Sequence, residues 1–237
     1  MIKIENISKI FSKQVVLDKV NLTTEKARCI ALIGPNASGK TTLIKSILGL
    51  VIPNEGSITI MGKPIYKEYL YRQHIGYMPQ IGRYPDNMTI AQLFKMIVDL
   101  RKTKWEECDL DLINLFEIDK INSKRLGTLS GGTRQKISAC LAFLFHPEIL
   151  ILDEPTAGLD PVSTELLKEK IKKEKNNNKL ILITSHVLSD LDELVDEVIY
   201  LQDGKINFQK SIDLLKQETG EIKLSRAIAK VMGYTGV

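Results

Sequence analysis

The sequence predicts an α/β protein built on a mostly parallel sheet with helices on both faces. Three observations carry that expectation. Compact apolar runs, "CIALIG", "ILILD", "LILITS" and "EVIYLQDG", alternate with helical periodicities, and buried strands of this kind need cover on both sides. The first of these runs leads into a glycine-rich turn and then a helix, "KTTLIKSILGLV". No internal repeat divides the 237 residues, so the chain reads as one unit.

Taken in order, "IKIENISKIF", "QVVLDKVNLTT" and "GSITIMG" are strand-like segments. After the glycine turn and its helix comes a helical insert. Ile90, Leu93, Phe94, Ile97 and Leu100 share one helix face, and Leu112, Ile113 and Phe116 mark another. "LSGGTRQKISACLAFLF" opens a further helix, with Ser130 as its cap and Ile137, Cys140, Leu141 and Leu144 on one face. From residue 149 apolar strands return, separated by helices. The run "LKEKIKKEKNNNK" mixes lysine with glutamate and reads as a solvated helix end. Residues 205–237 read as a short strand and two small helices without legible chemistry.

Composition narrows the function classes. Hydrophobic residues make up 43% of the chain, enough for a real core. The longest apolar run, "ACLAFLF", has seven residues, far short of the ~20 that a membrane span needs. The opening "MIKIENISKIF" reads as a strand and not as a signal sequence, which places the chain in the cytoplasm. Cys29, Cys108 and Cys140 form no CxxC pair, which suits a reducing compartment and argues against zinc. A net charge of +4 is too mild to argue for nucleic acid as a partner.

The chemistry is concentrated in a few short stretches. "GPNASGKT" (Gly34, Pro35, Asn36, Ala37, Ser38, Gly39, Lys40, Thr41) fits G-x-x-x-x-G-K-[ST] between a strand and a helix. Its backbone N–H groups, aided by the helix dipole, can wrap a phosphate chain. Lys40 would reach the β- and γ-phosphates, the Thr41 hydroxyl would ligate Mg²⁺, and Ser38 and Thr42 are further phosphate donors. "ILILDEP" places Asp153 and Glu154 at the C-terminal end of a buried strand, the edge where open α/β sheets bind ligands. Asp153 would hold Mg²⁺ and Glu154 would orient or deprotonate the attacking water. His186 ends the strand "LILITSH" at the same edge and would contact the γ-phosphate. His74 and His146 have no such placement and read as structural or surface residues. The two glycines after Ser130 are costly, since glycine weakens a helix by about 1 kcal/mol relative to alanine. What Ser130, Gly131 and Gly132 offer in return is bare backbone N–H groups at the positive end of a helix, a second cradle for an anion.

In order, "GPNASGKTT", "YMPQ", "LSGG", "ILILDEP", "AGLD" and "TSH" resemble the nucleotide-binding subunits of ATP-binding cassette (ABC) transporters, over about residues 2 to 218. The resemblance implies a P-loop NTPase fold with an N-terminal antiparallel β subdomain and a helical signature subdomain at about 82–145. An ABC ATPase domain would span 1–218, leaving 219–237 as a short extension. It implies ATP and Mg²⁺ as cofactors, Phe11 stacked on adenine where tyrosine is usual, and Gln80 in contact with Mg²⁺ and the attacking water. Ser130, Gly131 and Gly132 would bind the γ-phosphate of ATP held on the glycine loop of a second, identical cassette, with Asp160 at the dimer interface. A separate polytopic membrane subunit would be the other partner, with the cassette peripheral on the inner face of the cell membrane. Ala37 stands where many relatives have glycine, and Thr133 where glutamine is frequent. The short insert and tail look like exporter-type subunits, and "YMPQIGRYPDNMTIAQLF" and "LSRAIAKVMG" are similar to the subgroup that supports copper-centre assembly of nitrous oxide reductase. Two other classes stand beside this one. A soluble ABC-type ATPase could act in assembly without transport, and a P-loop kinase would leave "LSGG" and Asp160 without a role.

Overall fold

The computed structural model describes residues 1–185, 187–188, 191–232. His186 and the last five residues of the extension therefore lie outside the described residues.

Two sheets organise the chain. The first is antiparallel, in the order β2-β1-β4-β5, from β1 (Ile2–Phe11), β2 (Gln14–Thr23), β4 (Glu55–Ile60) and β5 (Lys63–Pro64). The second runs β10-β9-β3-β8-β7-β6. Here β3 (Arg28–Ile33), β6 (Ile75–Met78), β7 (Ile149–Asp153), β8 (Leu180–Thr184) and β9 (Glu197–Gln202) are parallel, and β10 (Lys205–Ser211) adds an antiparallel edge.

Apart from Arg28, Asp153 and Thr184 at their ends, β3, β7 and β8 are apolar throughout because both of their faces are covered. Side chains alternate across a strand. On β3, Cys29, Ala31 and Ile33 enter one core while Ile30 and Leu32 enter the other. β7 and β8 divide in the same way, Leu150, Leu152, Ile181 and Ile183 to one side and Ile149, Ile151, Leu180 and Leu182 to the other. The second side is closed by the antiparallel sheet and α1 (Lys40–Ile47), through Leu43, Ile44 and Ile47. The first is closed by α2 (Ile90–Arg101), α3 (Asp111–Leu115), α4 (Gly131–Phe143), α5 (Pro161–Asn176), α6 (Ile212–Thr219) and α7 (Leu224–Val231). The strand and two small helices expected after residue 205 are β10, α6 and α7.

Two expectations need correction. The buried stripe of α2 is Ile90, Leu93, Phe94 and Val98, and Leu100 faces solvent. The helix closes in a left-handed Lys102, and the residues after Val98 lie past the packed surface. The lysine-rich end of α5 is not wholly solvated either, since Lys170 is only 4% exposed and Glu174 is buried beside it. Lys170 Nζ donates to Asp109 Oδ2 at 2.5 Å and Asp111 Oδ2 at 2.8 Å, and it pairs with Glu174 Oε1 at 2.9 Å. Lys179 pairs with the other oxygen of Glu174. Burial works against the Lys170 charge, but the hydrogen-bonded carboxylates outweigh it and raise its pKa. The charge pattern along α5 could not disclose this, because Asp109 and Asp111 arrive from about 60 residues away in the helical insert.

The three cysteines are free and buried. Burial, followed by the field of Asp196, pushes the Cys29 thiol up to about 12, and burial raises Cys140 further. Among the described residues no helix is long and apolar enough to cross a membrane.

Candidate phosphate-binding and hydrolytic site

The glycine loop fills the gap between Ile33 at the end of β3 and Lys40 at the start of α1. Two of its positions accept only glycine. A β-carbon on Gly34 would lie 1.9 Å from the Leu201 carbonyl oxygen, and one on Gly39, at φ +106°, would lie 2.7 Å from that of Val16. Ala37 sits at φ +62°, a left-handed conformation that costs a residue with a β-carbon about 1–2 kcal/mol. The alanine is thus accommodated at a position whose backbone favours glycine.

The loop closes around the Lys40 ammonium, which donates to Gly34 O at 2.7 Å and Pro35 O at 2.9 Å. Burial depresses the Lys40 pKa, and the fields of Glu154 and then Asp153 oppose that shift. Both carboxylates therefore act on the same ammonium. No acidic residue sits in the first turn of α1, so its positive end faces the loop uncompensated, where Thr41 and Thr42 stand. The Ser38 hydroxyl is buried with no hydrogen-bond partner among the described residues. A buried hydroxyl without a partner is unfavourable, and a phosphate oxygen in the loop would supply one.

Asp153 closes β7 directly opposite Thr184 of β8. The Thr184 hydroxyl donates to Asp153 Oδ1 at 2.6 Å, and the Glu154 N–H donates to Thr184 O at 3.2 Å and Oγ1 at 3.0 Å. Glu154 itself adopts φ +52°. Its carbonyl accepts from Gln135 Nε2 of α4 at 3.2 Å.

The Ser130 cap has the expected form. Ser130 caps α4, accepting from the Thr133 N–H at 3.3 Å, and the two hydroxyls are 2.9 Å apart. Thr133 thus completes the cap. A β-carbon on Gly131 would meet nothing within 4 Å, whereas one on Gly132 would lie 2.7 Å from Gly158 O. One glycine keeps the helix tip open and the other lets it approach the turn after Glu154. Gly131 and Gly132 line an open cavity of about 400 Å³ with Gln80, and none of the lining residues belongs to the Gly34–Thr41 loop. Gln80 stands on the turn that follows β6 and shares this cavity with Gln135 and with Ala157 and Gly158 of the segment that follows Glu154.

Asp160 caps α5, accepting from Ser163 N at 2.9 Å and Ser163 Oγ at 2.7 Å, and it pairs with Lys136 Nζ of α4 at 2.9 Å. The Lys136 hydrogen bond, then those of Ser163, hold its carboxyl well below the usual range. Phe11 ends β1, 45% exposed, with Lys9 Nζ 4.9 Å from its ring centroid. His74 pairs with Glu148 at 3.0 Å and His146 lies 3.8 Å from Asp109, both away from the loop.

Sequence reasoning missed Thr184, Gln135 and Lys136. Thr184 becomes relevant only once β7 and β8 are known to be neighbours. Gln135 and Lys136 fall three and four residues after Gly132, the spacing that puts them on its face of the helix.

An ammonium gripped by a strand–glycine loop–helix, with a carboxylate pair at the end of β7 on the far side of β8, defines a phosphate-loop nucleotide-binding protein. The family model "ABC transporter" matches residues 17–157. The uncharacterized ABC transporter ATP-binding protein YhaQ of Bacillus subtilis (strain 168) is 35% identical over 225 residues, 93% of this chain and 74% of that protein. The lantibiotic transport ATP-binding protein SrtF of Streptococcus pyogenes is 32% identical over 213 residues, 90% and 92% of the two chains. The Nod factor export ATP-binding protein I of Sinorhizobium fredii is 32% identical over 208 residues, 86% of this chain but only 61% of the relative. A solved ATP-binding subunit of an ABC transporter superimposes with a TM-score of 0.91 at 26% identity, covering 98% of this chain and 99% of the other. The fold is shared with the ADP- and phosphate-bound dimeric cassette MJ0796, at a TM-score of 0.79 and 22% identity over 90% of this chain and 99% of that one. The chain belongs to the ABC transporter family, as an ATP-binding and ATP-hydrolysing subunit.

Proposed function

We propose that two copies of this chain close around ATP and that hydrolysis reopens them, driving export through a separate polytopic membrane subunit on whose cytoplasmic side they sit. The observation that carries this reading is a pair of helix N-termini in one chain that are opened by glycine and carry no acidic residue in the first turn. One begins α1 behind a complete glycine loop, and the other begins α4 with its Gly131 face open. A phosphate held by the first in one copy and by the second in its mate is a bridge, and a two-fold pair makes two such bridges. The dimeric cassette MJ0796 and the export and transport names of the curated relatives support the same reading. The narrower copper-centre subgroup rests on the residues of the insert and tail alone.

Within the site, Gly34–Thr42 bind the phosphate chain, and the Lys40 ammonium stands where the β- and γ-phosphates enter. Thr41 and Asp153 suit Mg²⁺, a hard cation that prefers oxygen donors. The Asp153 Oδ1 is tied to Thr184, and its Oδ2 has no hydrogen bond among the described residues. Bound there, the ion would neutralise phosphate charge. Glu154 takes the proton of a water whose oxygen attacks the γ-phosphorus as the bond to ADP breaks. Gln80 and His186 orient that water and the γ-phosphate. Phe11 stacks on adenine, and Asp160 shapes the neighbouring copy's site.

The test is Glu154→Gln mixed with ATP and Mg²⁺ and followed by light scattering. The expected result is a lasting dimer with hydrolysis nearly abolished, and a protein that remains monomeric would overturn the sandwich. Ser130→Arg should bind ATP yet fail to dimerise; full turnover in that variant would leave the second cradle idle. Co-purification with a polytopic membrane protein checks the transport assignment.

A further inference from the structure

One face of α4 is devoted to the segment that carries Glu154. Gly132, Gln135 and Lys136, spaced i, i+3 and i+4, each meet it. Gly132 abuts Gly158, Lys136 pairs with Asp160, and between them Gln135 Nε2 reaches Glu154 O at 3.2 Å and Pro155 O at 3.5 Å. Gln135 is 5% exposed, so its amide is committed to these carbonyls and is not a surface group. The Glu154 peptide is thus clamped from two sides, its N–H by Thr184 of β8 and its carbonyl by Gln135 of α4. Between the clamps its φ is +52°, a left-handed value that residues with a β-carbon adopt rarely and hold only where the surroundings over-determine it.

We propose that Gln135 is a positioning residue for hydrolysis, fixing the main chain of Glu154 so that its carboxylate is aimed at the attacking water. The helix that presents the Ser130–Gly132 cradle to one ATP therefore also sets the aim of this chain's own base toward the other. This rests on the reading of Glu154 as the base. Releasing the carbonyl lets the peptide leave its left-handed well and swing the carboxylate. A misplacement of about 1 Å costs roughly 100-fold in rate. The nucleotide loop is seated instead on Val16, Leu17 and Leu201, so ATP binding is spared.

The full chain is tested as Gln135→Leu, which keeps bulk without a donor, and Gln135→Glu, which keeps shape but offers the carbonyls an acceptor. Steady-state ATPase with Mg²⁺-ATP gives kcat and KM, calorimetric ATP titration gives affinity, and assays run well below each melting temperature. Both variants should lose about 10- to 100-fold in kcat, with KM and ATP affinity within about twofold of wild type. A wild-type kcat in Gln135→Glu, or a loss confined to KM, overturns the proposal. Should Gln135→Leu fail to fold, Gln135→Glu decides alone. Glu154→Gln is run alongside. If it keeps turnover, the base assignment fails, whereas its inactivity together with a fully active Gln135→Glu removes only the role given to Gln135.

Discussion

Replacing Thr184 by valine keeps the side chain's shape and deletes one hydroxyl. That hydroxyl donates the 2.6 Å hydrogen bond to Asp153 Oδ1, on a carboxylate that is itself buried. A hydrogen bond to a charged group contributes about 1.5–3 kcal/mol, and the oxygen left behind has no water to replace it. The Glu154 N–H loses its contact with Oγ1 but keeps the Thr184 carbonyl at 3.2 Å, so that donor adds little to the cost. A loss of about 2 kcal/mol in a domain of this size corresponds to a fall of about 4–8 °C in melting temperature. Differential scanning calorimetry on the nucleotide-free protein measures it, and Thr184→Ser, which retains the donor, should recover most of the difference. A melting temperature for Thr184→Val within about 1 °C of wild type would refute the view that Thr184 holds the carboxylate in place.

Further outcomes follow from the same structure. Lys170→Met should destabilise by about 3–5 kcal/mol, because Asp109 is left buried without this cation and Glu174 keeps only Lys179; an unchanged urea midpoint would contradict this. Hydrogen bonds from Lys170 and then Lys173 lower the Asp111 pKa from 3.8 to about 2. A lowered folded-state pKa gives stability that is present above 3.8 and is lost as pH falls toward 2. Asp111→Asn should flatten the acid limb of the stability curve, and the same slope in both proteins would count against the contact. Gly132→Ala should lower the melting temperature, because its new methyl meets the Gly158 carbonyl oxygen, while Gly131→Ala should leave it unchanged or higher. Equal effects at the two positions would show that α4 does not press on that turn.

Much of the fold was legible because the signals were local. The run "CIALIG" before a glycine loop read as a strand covered on both sides, and the apolar pattern of residues 149–153 and 180–184 marked two more strands of the same kind. The glycine loop, Asp153, Glu154 and the Ser130 cap were legible for the same reason, since each depends on neighbours within a few residues. What escaped was carried by contacts between distant segments. Lys170 looked solvated because its partners Asp109 and Asp111 lie in another part of the chain. Thr184 looked like an ordinary strand residue until its register with Asp153 was known, and Gln135 until Glu154 was seen beneath it. Leu100 fitted a helical stripe whose buried part ends at Val98.

The burial of Cys29 and Cys140 has a practical consequence. At neutral pH a sulfur held as the protonated thiol inside a core is a poor target for alkylating reagents and peroxide. A single cysteine introduced at an exposed position outside both phosphate cradles, as in Leu100→Cys on α2, would then outcompete the native sulfurs for a fluorophore. The rise and fall of the closed state could be followed in real time without first stripping the chain of its own cysteines.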